Sequence, residues 1–212
     1  MSIPPPSISL EPGPDGLELR GPGDRPGQGV RAGFEGGTTA GHPLVKLLRG
    51  CPGPVVDATA GLGGDTGVLA ALGRQVLAIE RSKILVSLLE EAWDRIEDPD
   101  LRARIRVVEG DSVELLGGLP DPFRTPAAIV IDPMYPPRRR RSALPPKAMQ
   151  ALRLLHADEG DPGVDALLEA AFASGARRIL LKRPPEAATW SGQAPTFSVE
   201  SKLVRWDAWE LG

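Results

Sequence analysis

Between residues 55 and 182 the chain alternates short apolar runs with helix-like stretches, and that rhythm narrows its fold more than any other feature. The runs at 55–59, 75–80, 105–109, 127–132 and 178–182 are continuous, as strands buried on both faces must be. Between them, 65–72, 82–96 and 112–116 carry helical spacing, and 147–155 with 164–173 supplies the fourth crossover. Strands joined through helices in this way predict an α/β fold, a doubly wound and mostly parallel sheet. The tail breaks the rhythm. Residues 196–199 and 203–210 read as strands with no helix between them, so they are expected to pair as an antiparallel hairpin at one sheet edge.

Residues 1–33 differ in kind. Within 1–30, Pro4, Pro5, Pro6, Pro12, Pro14, Pro22 and Pro26 are interleaved with six glycines, a composition that breaks helices and interrupts ladders. The segment is expected to be an arm ahead of a domain spanning 34–212. Residues 17–20 and 30–34 alternate apolar with polar side chains, which suits a small hairpin, while a floppy tail is the competing reading. His42-Pro43 ahead of Leu44, Val45, Leu47 and Leu48 suits a short helix ending near Gly50.

Composition removes several function classes. A net charge of −3 excludes a protein that grips nucleic acid through overall positive charge, although a local basic patch is compatible with it. One cysteine, Cys51, rules out an internal disulfide, and with His42 and His156 it leaves too few soft ligands for a structural zinc site, so no metal is expected. No segment approaches the ~20 apolar residues that cross a bilayer. The start, Met1-Ser-Ile-Pro-Pro-Pro6, has neither a basic nor an apolar leader region, which predicts a cytoplasmic protein with no membrane contact.

The richest segment is Val55-Val-Asp-Ala-Thr-Ala-Gly-Leu-Gly-Gly-Asp65. A buried strand runs into Gly61, Gly63 and Gly64 before a helix opens, so bare backbone can approach a ligand at the C-terminal edge of the sheet. No lysine follows the glycines, which excludes a phosphate-binding loop of the Gly-x-x-x-x-Gly-Lys type. Thr66 stands where a dinucleotide fingerprint would place its third glycine, which disfavours an oxidoreductase. Asp57 and Asp65 flank the loop, and negative charge there disfavours a pyrophosphate and suits a cationic amino-acid moiety such as that of S-adenosylmethionine (SAM). Glu80 at the second strand's end can accept both hydroxyls of a ribose, and Asp111-Ser112 at the third can accept from an adenine amine or cap the next helix. Asp57, Glu80, Asp111 and Asp132 all fall at the ends of consecutive strands, which converge on one crevice.

The fourth strand delivers Asp132-Pro-Met-Tyr135. The lone pair of an aryl amine is delocalised into its ring. A carboxylate and a backbone carbonyl accepting its two N–H bonds favour a pyramidal, nucleophilic nitrogen. Pro133 stiffens the loop, and Tyr135 can stack on a flat base, a contact worth ~1–3 kcal/mol. Arg138, Arg139, Arg140, Arg141 and Lys147 follow, so residues 136–147 carry five positive charges and no negative one, the pattern of a phosphate clamp or of a solvated charge run. Arg177, Arg178, Lys182 and Arg183 at the fifth strand extend that basic content.

Together these pieces resemble the bacterial 16S ribosomal RNA guanine-N2 methyltransferases of the RsmJ type, within the class I SAM-dependent, Rossmann-like fold. The matching pieces are Val56-Asp-Ala-Thr-Ala-Gly-Leu-Gly-Gly-Asp65, Glu80-Arg81, Asp111-Ser112, Asp132-Pro-Met-Tyr-Pro136, Ser142-Ala-Leu144 with Lys147 and Met149, and Lys182-Arg-Pro184. Their combination, spread over about Phe34 to Asp207, is far more specific than any one motif. The resemblance implies a pocket for SAM lined by Gly64, Asp65, Glu80, Arg81, Asp111, Ser112 and Asp132. It also implies a guanosine of 16S ribosomal RNA or the small ribosomal subunit as substrate. On that reading Asp132, Pro133 and Tyr135 handle the base, and Arg138 to Arg141, Lys147, Lys182 and Arg183 hold RNA. The alternatives are a SAM-dependent enzyme acting on a protein amide or small molecule, and a non-catalytic relative that binds RNA or cofactor.

Overall fold

The computed structural model describes residues 8–35, 40–135, 146–156, 163–187, 190 and 192–212. In chain order the elements are β1 (Ser9–Gly13), β2 (Gly16–Arg20), α1 (Pro43–Leu47), β3 (Val55–Asp57), α2 (Gly64–Ala71), β4 (Val76–Glu80), α3 (Lys83–Asp94), α4 (Pro99–Arg104) and β5 (Ile105–Glu109). They continue with α5 (Ser112–Leu115), β6 (Ala128–Ile131), α6 (Lys147–His156), α7 (Val164–Ala173), β7 (Arg178–Arg183), β8 (Phe197–Glu200) and β9 (Arg205–Glu210).

Seven of the strands form one sheet in the order β5-β4-β3-β6-β7-β9-β8. The five from β5 to β7 are parallel, as their continuous apolar sequences require. β9 runs antiparallel between β7 and β8, so the tail hairpin closes the sheet with its first strand outermost. Chain order reverses between β3 and β6, which opens a crevice at their C-terminal ends.

Successive residues feed opposite faces of the sheet. Val55, Ala128, Val130, Leu180 and Trp206 join one apolar cluster with Leu85, Leu88 and Leu89 of α3. Val56, Ile129, Ile131, Ile179, Leu181 and Trp209 join the other with Leu168 and Ala171 of α7. Helix α4 stands in a stretch that the apolar spacing did not mark as helical. Asp98 caps it by accepting from the backbone N–H groups of Asp100 (2.9 Å) and Leu101 (3.3 Å), and Pro99 opens its first turn.

The N-terminal residues pair in an unanticipated register. Strand β2 turns back onto β1, from Ser9↔Arg20 to Gly13↔Gly16, while Val30 meets Leu19 in a single bridge. Leu19 is wholly buried and Phe34 almost so, both within the larger apolar cluster. Glu18 is buried beneath this turn, accepting from Gly27 N–H (2.9 Å) and Gly29 N–H (3.1 Å) and pairing with Arg20. Beyond it the main chain of Phe34 lies directly on α2. A Cβ placed on Gly67 would stand 2.3 Å from the Phe34 carbonyl oxygen.

Candidate active site

The turn from β3 into α2 is made by Gly61 (φ +55°) and Gly63 (φ +86°), left-handed conformations that favour glycine. A Cβ on Gly63 would also meet the Gly33 carbonyl oxygen and the Phe34 ring at 3.0 Å, whereas one on Gly64 would meet nothing within 4 Å. The first turn of α2 therefore borders open space. Glu80, at the end of β4, braces this loop: one carboxylate oxygen accepts from Gly61 N–H and the other from Ser82 N–H, both at 2.9 Å. Each oxygen of an ionised carboxylate has further acceptor capacity. Arg81 follows, half-buried. At the end of β5, Asp111 caps α5 by accepting from Val113 N–H (2.8 Å), and Ser112 donates to the Ala58 carbonyl (2.7 Å), tying that corner to the glycine loop.

Asp57, Asp65 and Asp132 lie near enough for charge to act between them. Asp57 is buried, its carboxylate accepting from Thr66 Oγ1 (2.5 Å) and Thr59 N–H (3.2 Å). Burial pushes its carboxyl up to about 7 against the Thr66 hydrogen bond, and the nearby charges of Asp65 and Asp132 add to the rise. Asp132 is half-buried just past β6, where its backbone N–H donates to Thr59 Oγ1 (2.7 Å). Desolvation raises its carboxyl, Lys182 opposes that, and Asp65 reinforces it.

Lys182 lies in the middle of these acids. Its Nζ donates to Asp132 Oδ2 at 2.7 Å and to Asp65 Oδ2 at 3.1 Å. Burial works to lower this ammonium, yet Asp132 and Asp65 together hold it above the ordinary lysine range. On the far side of Asp65, His42 Nε2 stands 3.9 Å from Oδ1, while His42 Nδ1 accepts from Leu44 N–H at 3.3 Å. Burial lowers the imidazole, and the Asp65 charge only partly counters this. Among the described residues no group of His, Cys, Asp and Glu is arranged to hold a metal ion, and no helix is long and apolar enough to cross a membrane.

Pro133 and Tyr135 follow Asp132, both half-buried. Tyr135 borders a cavity of about 190 Å³ with Leu181, Arg183 and Trp190, and burial pushes its phenol up to about 12.

The residues expected to hold RNA are dispersed. Arg138, Arg139, Arg140 and Arg141 lie outside the described residues. Lys147 opens α6 and donates to Asp24 (2.6 Å) and to the Gln28 carbonyl, tying that helix to the N-terminal segment. Lys182 faces the acids of the crevice. Arg183 is buried and paired with Asp207 at 2.9 Å, and Arg178, also buried, is held by Glu210 and by the carbonyls of Leu47 and Arg49. Arg177 donates to the Pro52 carbonyl. The basic content of β7 is thus bound into the fold and not displayed as a patch. Reading along the sequence missed Lys182 as a partner of Asp132. The available signal was register: Ile131 pairs with Leu181 across β6 and β7, which sets residues 132 and 182 side by side.

Comparison with known proteins meets this geometry. The SAM-dependent methyltransferase family model matches residues 31–210. Ribosomal RNA small subunit methyltransferase J of Halorhodospira halophila is 42% identical over 183 residues, covering 83% of this chain and 67% of its own. The protein of the same name from Chromohalobacter salexigens is 37% identical over 218 residues, covering 95% of this chain and 84% of its own. Among solved structures, a SAM-dependent methyltransferase from Neisseria gonorrhoeae superposes with a TM-score of 0.72 at 27% identity, over 99% of this chain and 85% of that one. A Rossmann-like sheet, a glycine loop beside three acids and identities of this extent agree: the chain belongs to the ribosomal RNA small subunit methyltransferase J family of class I SAM-dependent methyltransferases.

Proposed function

We propose that this enzyme transfers the methyl group of SAM to the N2 amine of a guanosine in 16S ribosomal RNA, in the cytoplasm. The observation that carries the reading is the adjacency of β3 and β6, which puts the glycine loop and Asp132 on the same crevice. The residues there suit the cofactor. Asp57 and Asp65 supply negative charge for its ammonium and sulfonium, Glu80 places a carboxylate for a ribose, Asp111 and Ser112 border an adenine, and Arg81 flanks Glu80. Gly61, Gly63 and Gly64 keep the backbone bare where the first turn of α2 meets open space.

SAM supplies an electrophilic methyl carbon with a good leaving group, so the protein's task is to position and activate the amine. Asp132 and the Pro133 carbonyl accept the two N–H bonds and favour a pyramidal nitrogen. Tyr135, kept as a neutral phenol by its burial, stacks on the base. The amine's proton leaves after transfer, to Asp132 or to water. The arginines at 138–141 contribute the charge that meets the phosphate backbone, which makes binding weaken with salt.

The test is Asp132→Ala, assayed for RNA-dependent methyl transfer alongside thermal melting and calorimetric SAM titration. A native melt with bound SAM and lost turnover is expected. Near-normal transfer to RNA overturns the assignment of Asp132, and labelling of protein in place of RNA overturns the substrate class. Mass-spectrometric mapping of methylated guanosines, in cells with and without the gene, reads the target position.

A further inference from the structure

Three carboxylates, Asp57, Asp65 and Asp132, share one crevice; Asp65 raises the proton affinity of both others, and Asp132 adds to that of Asp57. A protonated Asp132 would accept an amine N–H more weakly than a carboxylate does, so a cation that holds this group charged favours its task. Lys182 is placed for that purpose. Its ammonium reaches Oδ2 of Asp132 at 2.7 Å, Asp65 holds it from the other side at 3.1 Å, and its Nζ lies 5.4 Å from the ring centre of fully buried Trp206. The strand fixes its origin as well, with Lys182 and Trp206 paired across β7 and β9.

We propose that Lys182 is the positioning residue for Asp132: its ammonium, anchored by Asp65, keeps the carboxylate ionised and engages Oδ2, leaving Oδ1 to accept the substrate N–H. This rests on the reading of Asp132 as the acceptor of the amine.

The groups facing the pair leave this role to Lys182. From α2, Asp65 is an acid, and from the end of β3 so is Asp57. From the start of α1, His42 uses Nδ1 as an acceptor for Leu44 N–H, and burial together with the Lys182 charge lowers its imidazole against the pull of Asp65. Tyr135, from the loop after Asp132, is a neutral phenol. Among the described residues, the ammonium that Asp132 touches is that of Lys182.

The experiment compares Lys182→Met, Lys182→Arg and Asp132→Asn in single-turnover methyl transfer to RNA at saturating SAM, across pH 5.5 to 9. Removing an opposite charge at this range raises a carboxyl by about 1–3 pH units. For Lys182→Met the acidic limb of the rate profile is therefore expected to move upward by at least about one unit, with turnover on the acidic side of the native limb reduced roughly tenfold or more and recovered as pH rises. Lys182→Arg keeps the charge and is expected to retain the native limb. If the methionine variant does not fold, Lys182→Gln carries the same comparison, because it keeps a donor and loses the charge. A native limb in the uncharged variants, or a uniform loss at every pH, overturns the role of Lys182. Full turnover by Asp132→Asn, which keeps the Oδ1 acceptor without the charge, likewise overturns the role of Lys182, whereas full turnover by Asp132→Ala overturns the underlying reading of Asp132, so the two failures are separable.

Discussion

Gly67→Ala tests the close approach that sets the glycine loop in place. The added methyl would stand 2.3 Å from the Phe34 carbonyl oxygen and 2.6 Å from its carbonyl carbon, distances that no real Cβ contact sustains. The obstacle is backbone, so it cannot rotate aside, and Phe34 is itself packed into the core at 2% exposure. Helix α2 and the Phe34 strand of chain must separate by about an ångström, an overpacking cost of about 1–3 kcal/mol. Alanine returns up to about 1 kcal/mol through its helix propensity. The net loss of about 1–2 kcal/mol lowers the melting temperature of a chain this long by roughly 2–8 °C. Because α2 begins at the glycine loop, the same shift is expected to weaken SAM binding several-fold by calorimetric titration. Gly64→Ala is the control. Its methyl enters open space, so its melting temperature should stay at or above the native value. A Gly67→Ala protein that melts with the native one refutes the argument that this contact fixes the loop.

Asp57 makes stability depend on pH. Its carboxyl rises from 3.8 in the unfolded chain to about 7 when buried, so the stabilisation it offers is full below pH 4 and is lost as pH climbs through 7. The gap amounts to roughly 4 kcal/mol. Urea midpoints for the ligand-free protein should accordingly favour pH 5 over pH 8 by more than in Asp57→Asn, and equal differences would dismiss the effect. Arg183→Met removes one partner of a buried pair and should cost about 3 kcal/mol in urea unfolding; the lower end of the usual range applies because Arg205 (3.0 Å) and Ser198 (2.7 Å) still satisfy Asp207. A loss under about 0.5 kcal/mol would show that Arg183 behaves as an exposed side chain.

The parallel strands were legible because strands buried on both faces must be continuously apolar, a demand no neighbouring element relaxes. The acids at their ends were legible for a related reason: a carboxylate placed just where a buried strand stops needs a partner or a ligand. What escaped the sequence depends on contacts between distant segments. The strand at Gly16–Arg20 pairs backward across Pro14-Asp15 with Ser9–Gly13, where Pro12 conceals strand character, and the downstream stretch contributes only the Leu19–Val30 bridge. Lys182 and Arg183 are neighbours of one chemical type in one basic run. Strand alternation sends the first to the crevice acids and the second to Asp207, a separation that charge counting cannot make. Helix α4 was readable from Asp98-Pro99, since a capping acid before proline marks a helix start even where apolar spacing is weak.

The reversal of chain order between β3 and β6 also partitions the molecule. Asp57, Glu80 and Asp111 belong to the half of the sheet on one side of that seam, while Asp132, Tyr135 and Lys182 belong to the other. On the proposed reading, donor and acceptor enter from separate halves that share a single boundary, joined there by the β3–β6 pairing, by the Asp132 N–H to Thr59 Oγ1 hydrogen bond and by the Lys182–Asp65 ion pair. Such a layout lets the acceptor side diversify toward new nucleotides while the donor side stays intact, provided that the links across the seam are preserved.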